Sequence, residues 1–534
     1  MFITSGIVAV AFVLWGVIAP GPMSTVASKV NSFITTNFGW FYIISASFFL
    51  LFVVVLMFTR WGSVRLGPDD SKPEYSNQAW FAMLFTAGMG IGLVYYAVSE
   101  PVTHYLEPPT GQGGTPQAGT EAMNLTFYHW GLHPWAIYIV LGLALGYFAF
   151  RKGLPMRPAS ALYPLLGDRI YGWVGHVVDV LAVFGTLFGL ATSLGLGGQQ
   201  VGAGLETLFG VSNTPTLQML LILGITAIAV VSVMLGIDKG IRNLSLINLW
   251  LAFALMLFVF FFGPSVDLLN SLASNVGHYI QQLPQTSFET YPNDPDAREW
   301  QASWTLFYWG WWISWSPFVG MFIARISYGR TIRSFIMGAL FAPVGASFVW
   351  LSIFGNSALG LLSTNPNNPL AEASSDTAMF SLFNQLPVHG IATILASVLA
   401  IVVVVLFFAT SSDSGSLVVD ILTNGGDPNP RWQQRLFWAV LEGVIAAVLL
   451  GASAASGEDA LSALQTAAIV TGLPFCVVLL VICFSFTKAL VSERVTVDVG
   501  PGPQTKLRQA AAKRTPEAKH RSEGSSESSE SSES

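Results

Sequence analysis

Charged side chains are scarce in this sequence. They make up 10% of its 534 residues, whereas hydrophobic residues make up 52%. A soluble domain usually carries about 25% charged residues, because its surface must be hydrated. The shortage argues against an ordinary globular enzyme, a nucleic-acid binder or a disordered scaffold. It favours a chain that lies mostly within a membrane.

Several chemical signatures are also missing. The only two cysteines, Cys476 and Cys483, are seven positions apart in one apolar stretch. On a helix they would be separated by about 10 Å of rise, too far for a disulfide. The sequence has no Gly-Lys dipeptide, no His-Glu-x-x-His motif and only scattered histidines. Phosphate-loop and zinc-hydrolase chemistry are therefore not expected, and the chain is not predicted to be an enzyme.

Long apolar runs, in contrast, are frequent. A helix needs roughly 20 mostly apolar residues to cross the hydrocarbon core. The first run lacks the basic n-region and cleavage site of a signal peptide, so we count it as a helix. The predicted spans, twelve in number, are 2–19, 39–59, 78–99, 126–150, 172–198, 216–236, 245–263, 304–324, 334–357, 388–411, 434–453 and 462–487.

The positions of the basic residues test this count. If the N-terminus is cytoplasmic, 22 of the 24 Lys and Arg residues fall on the cytoplasmic side, and only Lys29 and Arg298 fall outside. A missed or invented helix would reverse every later assignment, so the positive-inside rule supports twelve spans. The sequence therefore predicts a multi-pass membrane protein with both termini in the cytoplasm.

Two segments lie outside these spans. Residues 265–283 have apolar residues at helical spacing, which indicates either an amphipathic helix on the outer membrane face or a loop helix packed on protein. The C-terminal tail is partly basic, which suits contact with anionic lipid or a cytoplasmic loop, and its Ser/Glu-rich end has the composition of a disordered segment. The predicted regions are 1–60, 78–263, 264–303, 304–487 and 488–534.

The third span contains glycines at alternate positions, Gly88, Gly90 and Gly92, with Met89 between the first two. Each glycine weakens a helix by roughly 1 kcal/mol relative to alanine. Backbone that leaves helical geometry inside a membrane persists only where protein, water or a ligand satisfies its polar groups. The pattern therefore predicts an unwound site, although close packing of helices through small residues remains the alternative.

Tryptophans crowd the eighth span, and a second aromatic motif lies in the fourth. Rings from different helices that face one cavity can hold a quaternary ammonium group, with about 0.5–2 kcal/mol from each cation–π contact. A zwitterion such as a betaine fits a site without a buried Lys or Arg. For any single tryptophan, an interfacial belt or bulk packing is the alternative.

Pro317 lacks a backbone N–H, which predicts a break one turn earlier in the eighth span. The breaks predicted in the third and eighth spans are five helices apart, which fits an inverted repeat of helices 3–7 and 8–12. Acidic residues within predicted spans are costly and therefore functional candidates. These are Asp179, with a hydroxyl or His176 as its expected partner, Asp413 and Glu442. His133 is interpreted as structural.

Four motifs together carry a family resemblance. They are Gly88-Met-Gly-Ile-Gly92, Trp130-Gly-Leu-His-Pro-Trp135-Ala-Ile-Tyr138, the stretch from Trp309 to Ser327, and Thr410-Ser-Ser-Asp-Ser-Gly415. With them the chain resembles the betaine/carnitine/choline transporter family, most of all its sodium-coupled compatible-solute carriers of actinobacteria. The resemblance implies an all-α membrane protein with two LeuT-like inverted five-helix repeats, preceded by two extra helices. It also implies a homotrimer.

The resemblance assigns roles to particular residues. It implies a trimethylammonium box of Trp130, Trp135, Tyr138 and Trp312, with Trp315 beside the substrate. Phe307 and Trp311 would line the route. One sodium ion would lie between the unwound third span and the tenth span, with ligands from Thr86, Met89, Phe407, Thr410 and Ser411. Back-bonding of Thr410 and Ser411 within their own helix is the alternative.

A second sodium site of the family maps onto Thr186, Leu190 and Phe318. Because leucine offers no oxygen, this site is doubtful, unless Ser193 or another group compensates. Sodium-independent exchangers of the family carry an arginine in the seventh span, where this chain has Leu249. The sequence therefore predicts sodium-coupled uptake of a compatible solute, glycine betaine first and ectoine or proline next, for protection against osmotic stress. Proton-coupled uptake or exchange of choline or carnitine is the alternative.

Overall fold

The computed structural model describes residues 1–88, 90–234, 238–428, 431–457 and 462–493, which all belong to one compact unit, Met1–Glu493. Within these ranges the protein is helical, and its only β pairing is an isolated bridge between Arg65 and Thr331. This confirms the all-α prediction. The predicted basic and Ser/Glu-rich tail lies outside the described residues from position 494 onward.

Eighteen α-helices can be traced in the described ranges. They are α1 Phe2–Ile18, α2 Pro20–Phe58, α3 Asn77–Gly88, α4 Ile91–Leu106, α5 Pro116–Trp130, α6 Leu132–Gly146, α7 Tyr163–Leu166, α8 Trp173–Phe209, α9 Pro215–Met234, α10 Asp238–Phe262, α11 Ser265–Thr286, α12 Pro295–Gln301, α13 Phe307–Arg325, α14 Ile332–Thr364, α15 Ala378–Gln385, α16 Ile391–Thr423, α17 Trp432–Ala455 and α18 Ser462–Val491.

Each predicted span overlaps a helix in the described residues, but several boundaries were wrong: α8 extends to Phe209 and α16 to Thr423, beyond the predicted ends at 198 and 411. The break predicted before Pro317 was also wrong, because α13 is continuous from Phe307 to Arg325 and the Ile313 carbonyl that Pro317 leaves free accepts the Ser316 hydroxyl over 2.7 Å. Residues 20–38, predicted as a connection, belong to α2, which is continuous for 39 residues. Its prolines Pro20 and Pro22 lie in the first turn, where a missing N–H breaks no helical hydrogen bond. By length and composition, seven helical segments could cross a membrane, or eight if a pair bent by 110°, Leu246–Phe262 and Ser265–Thr286, counts as one span. The count of twelve stays a prediction.

Contacts between connections agree with the predicted alternation of sides. On the predicted cytoplasmic side, Arg65 pairs with Thr331, and Arg151 donates to Asp69 over 2.8 Å. On the predicted outer side, Asn213 donates to Asp376 over 2.8 Å, which joins the connections after the fifth and ninth spans. Connections assigned to the same side therefore touch one another, as an alternating arrangement requires.

Helix packing supports the predicted repeat. If helices 3–7 and 8–12 are related, a contact between two helices should have a counterpart when the repeats are exchanged. The fourth span contacts the eighth (α6 with α13), and its counterpart, the third with the ninth (α4 with α14), is present. The pairs α8 with α18 and α16 with α10 are counterparts in the same way. The contacts α8 with α16 and α9 with α17 each map onto themselves.

Helix α11, which is predicted to lie on the outer side, packs on protein with one face. It contacts α5 and α14, and buried Tyr279 lies 5.1 Å from Phe348 and 6.1 Å from Phe127, measured between ring centroids. Its opposite face leaves Leu269 and Ile280 exposed. These contacts favour the alternative of a helix packed on protein, and α11 keeps an exposed apolar face.

Asp179 has a different partner from the one expected. Arg157 donates to one of its carboxylate oxygens over 3.0 Å, and the Ala159 N–H donates to the other over 3.0 Å. His176 is therefore not its partner. Both charged side chains are almost completely buried. The pair ties the connection before α8 to that helix.

Breaking this pair should destabilise the protein. Loss of one partner of a buried ion pair costs about 3–5 kcal/mol, because the other charge stays buried and unpaired. We expect Arg157→Met to lower the Tm of the detergent-solubilised protein, and addition of Asp179→Asn to restore part of the loss. The exposed Arg298→Ala is the control. An unchanged Tm for Arg157→Met would contradict this reading.

A second ion cluster lies just after α18. Glu493 accepts hydrogen bonds from Tyr147, Arg151 and Lys152 over 2.6, 3.0 and 2.5 Å. Partial burial raises the pKa of Glu493, but these three donors outweigh it and hold the pKa at about 2. Glu493 therefore links the end of α18 to residues 147–152, which follow α6.

Candidate functional site

The third span is broken where its glycines predict. Helix α3 ends at Gly88, Met89 lies outside the described residues, and Gly90 is extended, with φ −142° and ψ 178°. Helix α4 then starts at Ile91. Of the described glycines of the predicted unwound segment, only Gly90 leaves helical geometry, whereas Gly88 ends α3 and Gly92 lies in the first turn of α4.

A second break separates α5 from α6 at Gly131. A Cβ at this position would lie 2.4 Å from the carbonyl oxygen of Phe127, so a side chain cannot be accommodated without a backbone shift. The break places Trp130 at the end of one helix and Trp135 in the first turn of the next. The fourth span therefore presents two rings from two helix ends.

These rings meet those of α13 in one cavity. Trp312 lies 5.0 Å from Trp130 and 4.5 Å from Trp311, and Tyr138 lies 5.5 Å from Trp135 and 6.3 Å from Trp312. The cavity, called the aromatic cage below, is lined by Gly90, Gly92, Leu93, Trp130, Pro134, Trp135, Tyr138, Ser193, Trp311, Trp312, Trp315 and Ser347. Among the described residues, no Lys, Arg, Asp or Glu lines it.

Six of the seven predicted substrate-binding residues therefore line one cavity, and the exception is Phe307. Phe307 was expected to line the route, but it lies outside the lining of the cage and stacks on Trp311, with centroids 5.4 Å apart. It precedes Trp311 by one helical turn, so its ring supports that of Trp311 from behind. Sequence reasoning did not assign Pro134 or Ser347 to the lining.

Two polar groups of the cage have no hydrogen-bond partner among the residues that the structure describes. They are the Tyr138 hydroxyl and the Trp315 Nε1–H, both buried. The indole N–H groups of Trp130, Trp311 and Trp312 all donate to protein oxygens. Because unpaired buried donors are costly, Tyr138 and Trp315 are suited to bind a polar group of a ligand.

The predicted sodium ligands of the tenth span lie on α16. The Thr410 hydroxyl donates to the Leu406 carbonyl over 2.8 Å and lies 3.2 Å from the Phe407 carbonyl, as in ordinary back-bonding. Its lone pairs remain available to a cation. A Cβ at Gly197 would lie 3.2 Å from Phe408 and 3.3 Å from Ile91, so this part of α16 and the start of α4 face the same side of α8.

At the second predicted sodium site, Thr186 is buried and its hydroxyl has no partner in the described ranges. Leu190, one turn later, packs against Gly415. The ring of Phe318 lies 5.4 Å from that of Trp315. Thr186 thus offers an oxygen, and Leu190 fills the position of a second one with an apolar side chain.

The acidic residues near α16 form a connected group. Arg435 donates to the carboxylate of Asp413, which anchors the segment that follows Thr410 and Ser411. Ser412 donates to Glu442 over 3.3 Å, and Glu442 is fully buried. Asp413 and Ser412, the partner of Glu442, directly follow the predicted sodium ligands Thr410 and Ser411, so both acids hold this segment through hydrogen bonds.

Sequence reasoning missed a buried carboxylate behind the aromatic cage. Glu100 is fully buried and accepts hydrogen bonds from Trp130 and Tyr308, while His129 and His104 contact its other oxygen. The predicted third span ended at position 99, so this acid was not counted within a span. Glu100, His104 and His129 each have a possible metal-ligand atom, and these atoms lie within 4.8 Å of one another. However, His129 Nδ1 lies 2.7 Å from Glu100 Oε1, so these two groups are hydrogen-bonded directly to each other.

Comparison with known sequences decides the family. Residues 1–495 match the family described as BCCT, betaine/carnitine/choline family transporter. The chain belongs to the betaine/carnitine/choline transporter family. This family comprises membrane transporters, not enzymes, and the resemblance of the four motifs is confirmed.

Individual members of the family are similar over most of their length. A glycine betaine transporter of Bacillus subtilis is 45% identical over 91% of this chain and 93% of its own. An uncharacterised transporter of Mycobacterium tuberculosis is 48% identical over 92% of this chain and 82% of its own. A Vibrio parahaemolyticus protein named as a glycine betaine, proline, choline and ectoine transporter is 42% identical over 92% of this chain and 86% of its own.

Proposed function

We propose that this member of the betaine/carnitine/choline transporter family is a secondary active transporter that takes up glycine betaine together with sodium. The cell would use it to accumulate a compatible solute under osmotic stress. Glycine betaine carries a trimethylammonium group and a carboxylate, so its binding site must offer ring faces and hydrogen-bond donors within one small cavity.

The observation that carries the proposal is the composition of the aromatic cage. Trp130, Trp135 and Trp312 supply ring faces, while Tyr138 and Trp315 hold buried donors without partners. Ring faces suit the trimethylammonium group, and the two donors suit the carboxylate. A substrate with both groups satisfies the site, whereas choline leaves a donor pair without an anionic acceptor.

Sodium coupling is supported by the place of the helix break. An ion bound between α16 and the unwound end of α3 would bring these helices together, which links ion binding to closure around the substrate. Entry of one positive charge through 100 mV releases about 2.3 kcal/mol, nearly two decades of substrate accumulation before any sodium gradient is added. The single sodium at Thr86, Met89, Phe407, Thr410 and Ser411 is proposed as the coupling ion.

The test is uptake of radiolabelled glycine betaine into proteoliposomes under imposed sodium, choline or proton gradients, with ectoine, proline and carnitine as competitors. We expect accumulation that depends on sodium. Uptake that ignores sodium and follows a proton gradient, or that needs internal substrate, would support the alternative of proton coupling or exchange.

The sodium ligands are tested by paired hydroxyl deletions. We expect Thr410→Val with Ser411→Ala to raise the sodium concentration for half-maximal uptake at least about tenfold, because two of five proposed oxygen ligands are lost. Thr364→Val is the control, since this exposed threonine ends α14 and bonds only within its own helix. An unchanged sodium dependence of the double variant would rule out this site.

The setting of the transporter is proposed from the charge pattern and the resemblance. We place it in the bacterial cell membrane with both termini in the cytoplasm and propose a homotrimer, with the basic tail near anionic lipid. Light scattering of the purified protein with its detergent mass subtracted tests the trimer, and protease access to the tail in sealed vesicles tests the orientation.

A further inference from the structure

Glu100 lies behind the aromatic cage and takes no part in the proposed binding of substrate or sodium. Its carboxylate lies on α4, eight residues after Gly92, and is fully buried. A buried charge without compensation costs several kcal/mol, so its partners indicate its purpose.

One carboxylate oxygen holds two aromatic residues. Oε2 accepts the Trp130 Nε1–H over 2.7 Å and the Tyr308 hydroxyl over 2.5 Å. The rings of Trp130 and Tyr308 lie edge to face, 5.5 Å apart. Two donors that converge on one acceptor fix both the position and the tilt of each ring.

The other oxygen extends the network to a third ring. Oε1 lies 2.7 Å from Nδ1 of His129, and Nε2 of His129 lies 2.9 Å from the Thr305 hydroxyl. The backbone carbonyl of His129 accepts the Trp312 Nε1–H over 2.9 Å. His129 therefore couples Glu100 to Trp312, which faces Trp130 across the cage.

We propose that Glu100 is a positioning residue of the aromatic cage, which holds Trp130 directly and Trp312 through His129 so that their faces are aligned for a quaternary ammonium group. This inference rests on the proposed function, because it assigns the alignment to that substrate class. The carboxylate also lies at the N–H edge of Trp130, where negative charge makes the ring face a better partner for a cation.

The experiment compares Glu100→Gln with Glu107→Gln, the same substitution at an exposed position at the end of α4. Glutamine keeps the size of the side chain but has one accepting oxygen in place of two and no charge, so either the two aromatic donors or the histidines lose their acceptor. We expect Glu100→Gln to raise the KM for glycine betaine about tenfold, with a much smaller change in maximal velocity. Glu107→Gln should match the wild type.

A second variant reports on the mechanism and replaces the first if Glu100→Gln does not fold. Tyr308→Phe keeps the ring and removes only the hydroxyl that donates to Oε2. We expect it to raise KM about threefold in the wild-type background and to have little further effect beside Glu100→Gln, since interacting groups are not additive. Binding of glycine betaine, followed by tryptophan fluorescence, should show the same order.

The outcomes separate the two proposals. If the wild type shows no saturable uptake of glycine betaine, proline, ectoine or choline, the proposed function fails, and this inference fails with it. If the wild type takes up glycine betaine but both variants keep its KM, the positioning role of Glu100 is wrong. Additive effects of the two substitutions would likewise show that Glu100 does not act through Tyr308.

Discussion

Replacement of Trp312 by alanine should abolish measurable uptake of glycine betaine at micromolar concentrations. Trp312 contacts Trp130, Trp311 and Tyr138 and is 4% exposed, so it forms the centre of the aromatic cage. A cation–π contact in a dry site contributes about 2 kcal/mol, which corresponds to roughly a 30-fold change in affinity. The neighbouring rings also lose the surface against which they stack.

Two comparisons show whether the ring face is responsible. Trp312→Phe keeps an aromatic face but loses the hydrogen bond to the His129 carbonyl, so it should retain part of the uptake. Trp173→Ala removes a tryptophan that is 77% exposed at the start of α8 and should leave KM unchanged. Transport by Trp312→Ala at the wild-type KM, measured in proteoliposomes of equal protein content, would remove the basis of the cage.

Much of the site could be predicted from the sequence, because local signals mark it. Gly88, Gly90 and Gly92 weaken the helix within one short stretch, and Trp130 and Trp135 flank a glycine and a proline. Such signals depend on residues that are neighbours in the chain. The structure therefore confirms the helix break and gathers most of the predicted rings in one cavity.

Contacts between distant segments could not be predicted in this way. Asp179 pairs with Arg157, which is 22 positions away. Glu100 accepts hydrogen bonds from Trp130 and Tyr308, and the three residues lie on three different helices. The sequence shows only that a buried charge needs a partner, and many polar residues satisfy that requirement. Helix packing alone selects among them, as it does for Phe307, which lies behind Trp311.

The repeat and the cage together suggest how transport is organised. The fourth and eighth spans form the cage through contacts of α6 with α13, and the third span contributes its broken segment. α16, the tenth span, contacts α4 and carries the proposed sodium ligands. The substrate and the ion would thus be bound at neighbouring parts of one broken helix, which makes the conformation of that helix depend on both ligands.

Replacement of Gly92 by alanine should reduce uptake at least about tenfold. A Cβ at this position would lie 2.4 Å from Cη2 of Trp311 and 3.0 Å from Cη2 of Trp130. Trp311 cannot easily move, because it stacks on Trp312 and on Phe307 and its Nε1–H donates to a backbone carbonyl. Overpacking of this kind costs about 1–3 kcal/mol, and here the displaced rings are those of the cage.

The changes in KM and Tm of Gly92→Ala distinguish two roles of Gly92. Gly92 is the second residue of α4, and alanine is more favourable than glycine in a helix. If Gly92 served only to weaken the helix, alanine would therefore stabilise α4 by up to about 1 kcal/mol. If it serves to let the two indole rings approach the backbone, alanine must raise KM. Gly224→Ala provides the matched control, because a Cβ at Gly224 in α9 meets no atom within 4 Å. Wild-type KM with a raised Tm for Gly92→Ala would favour the first role, whereas a raised KM beside an unchanged Gly224→Ala would establish the second.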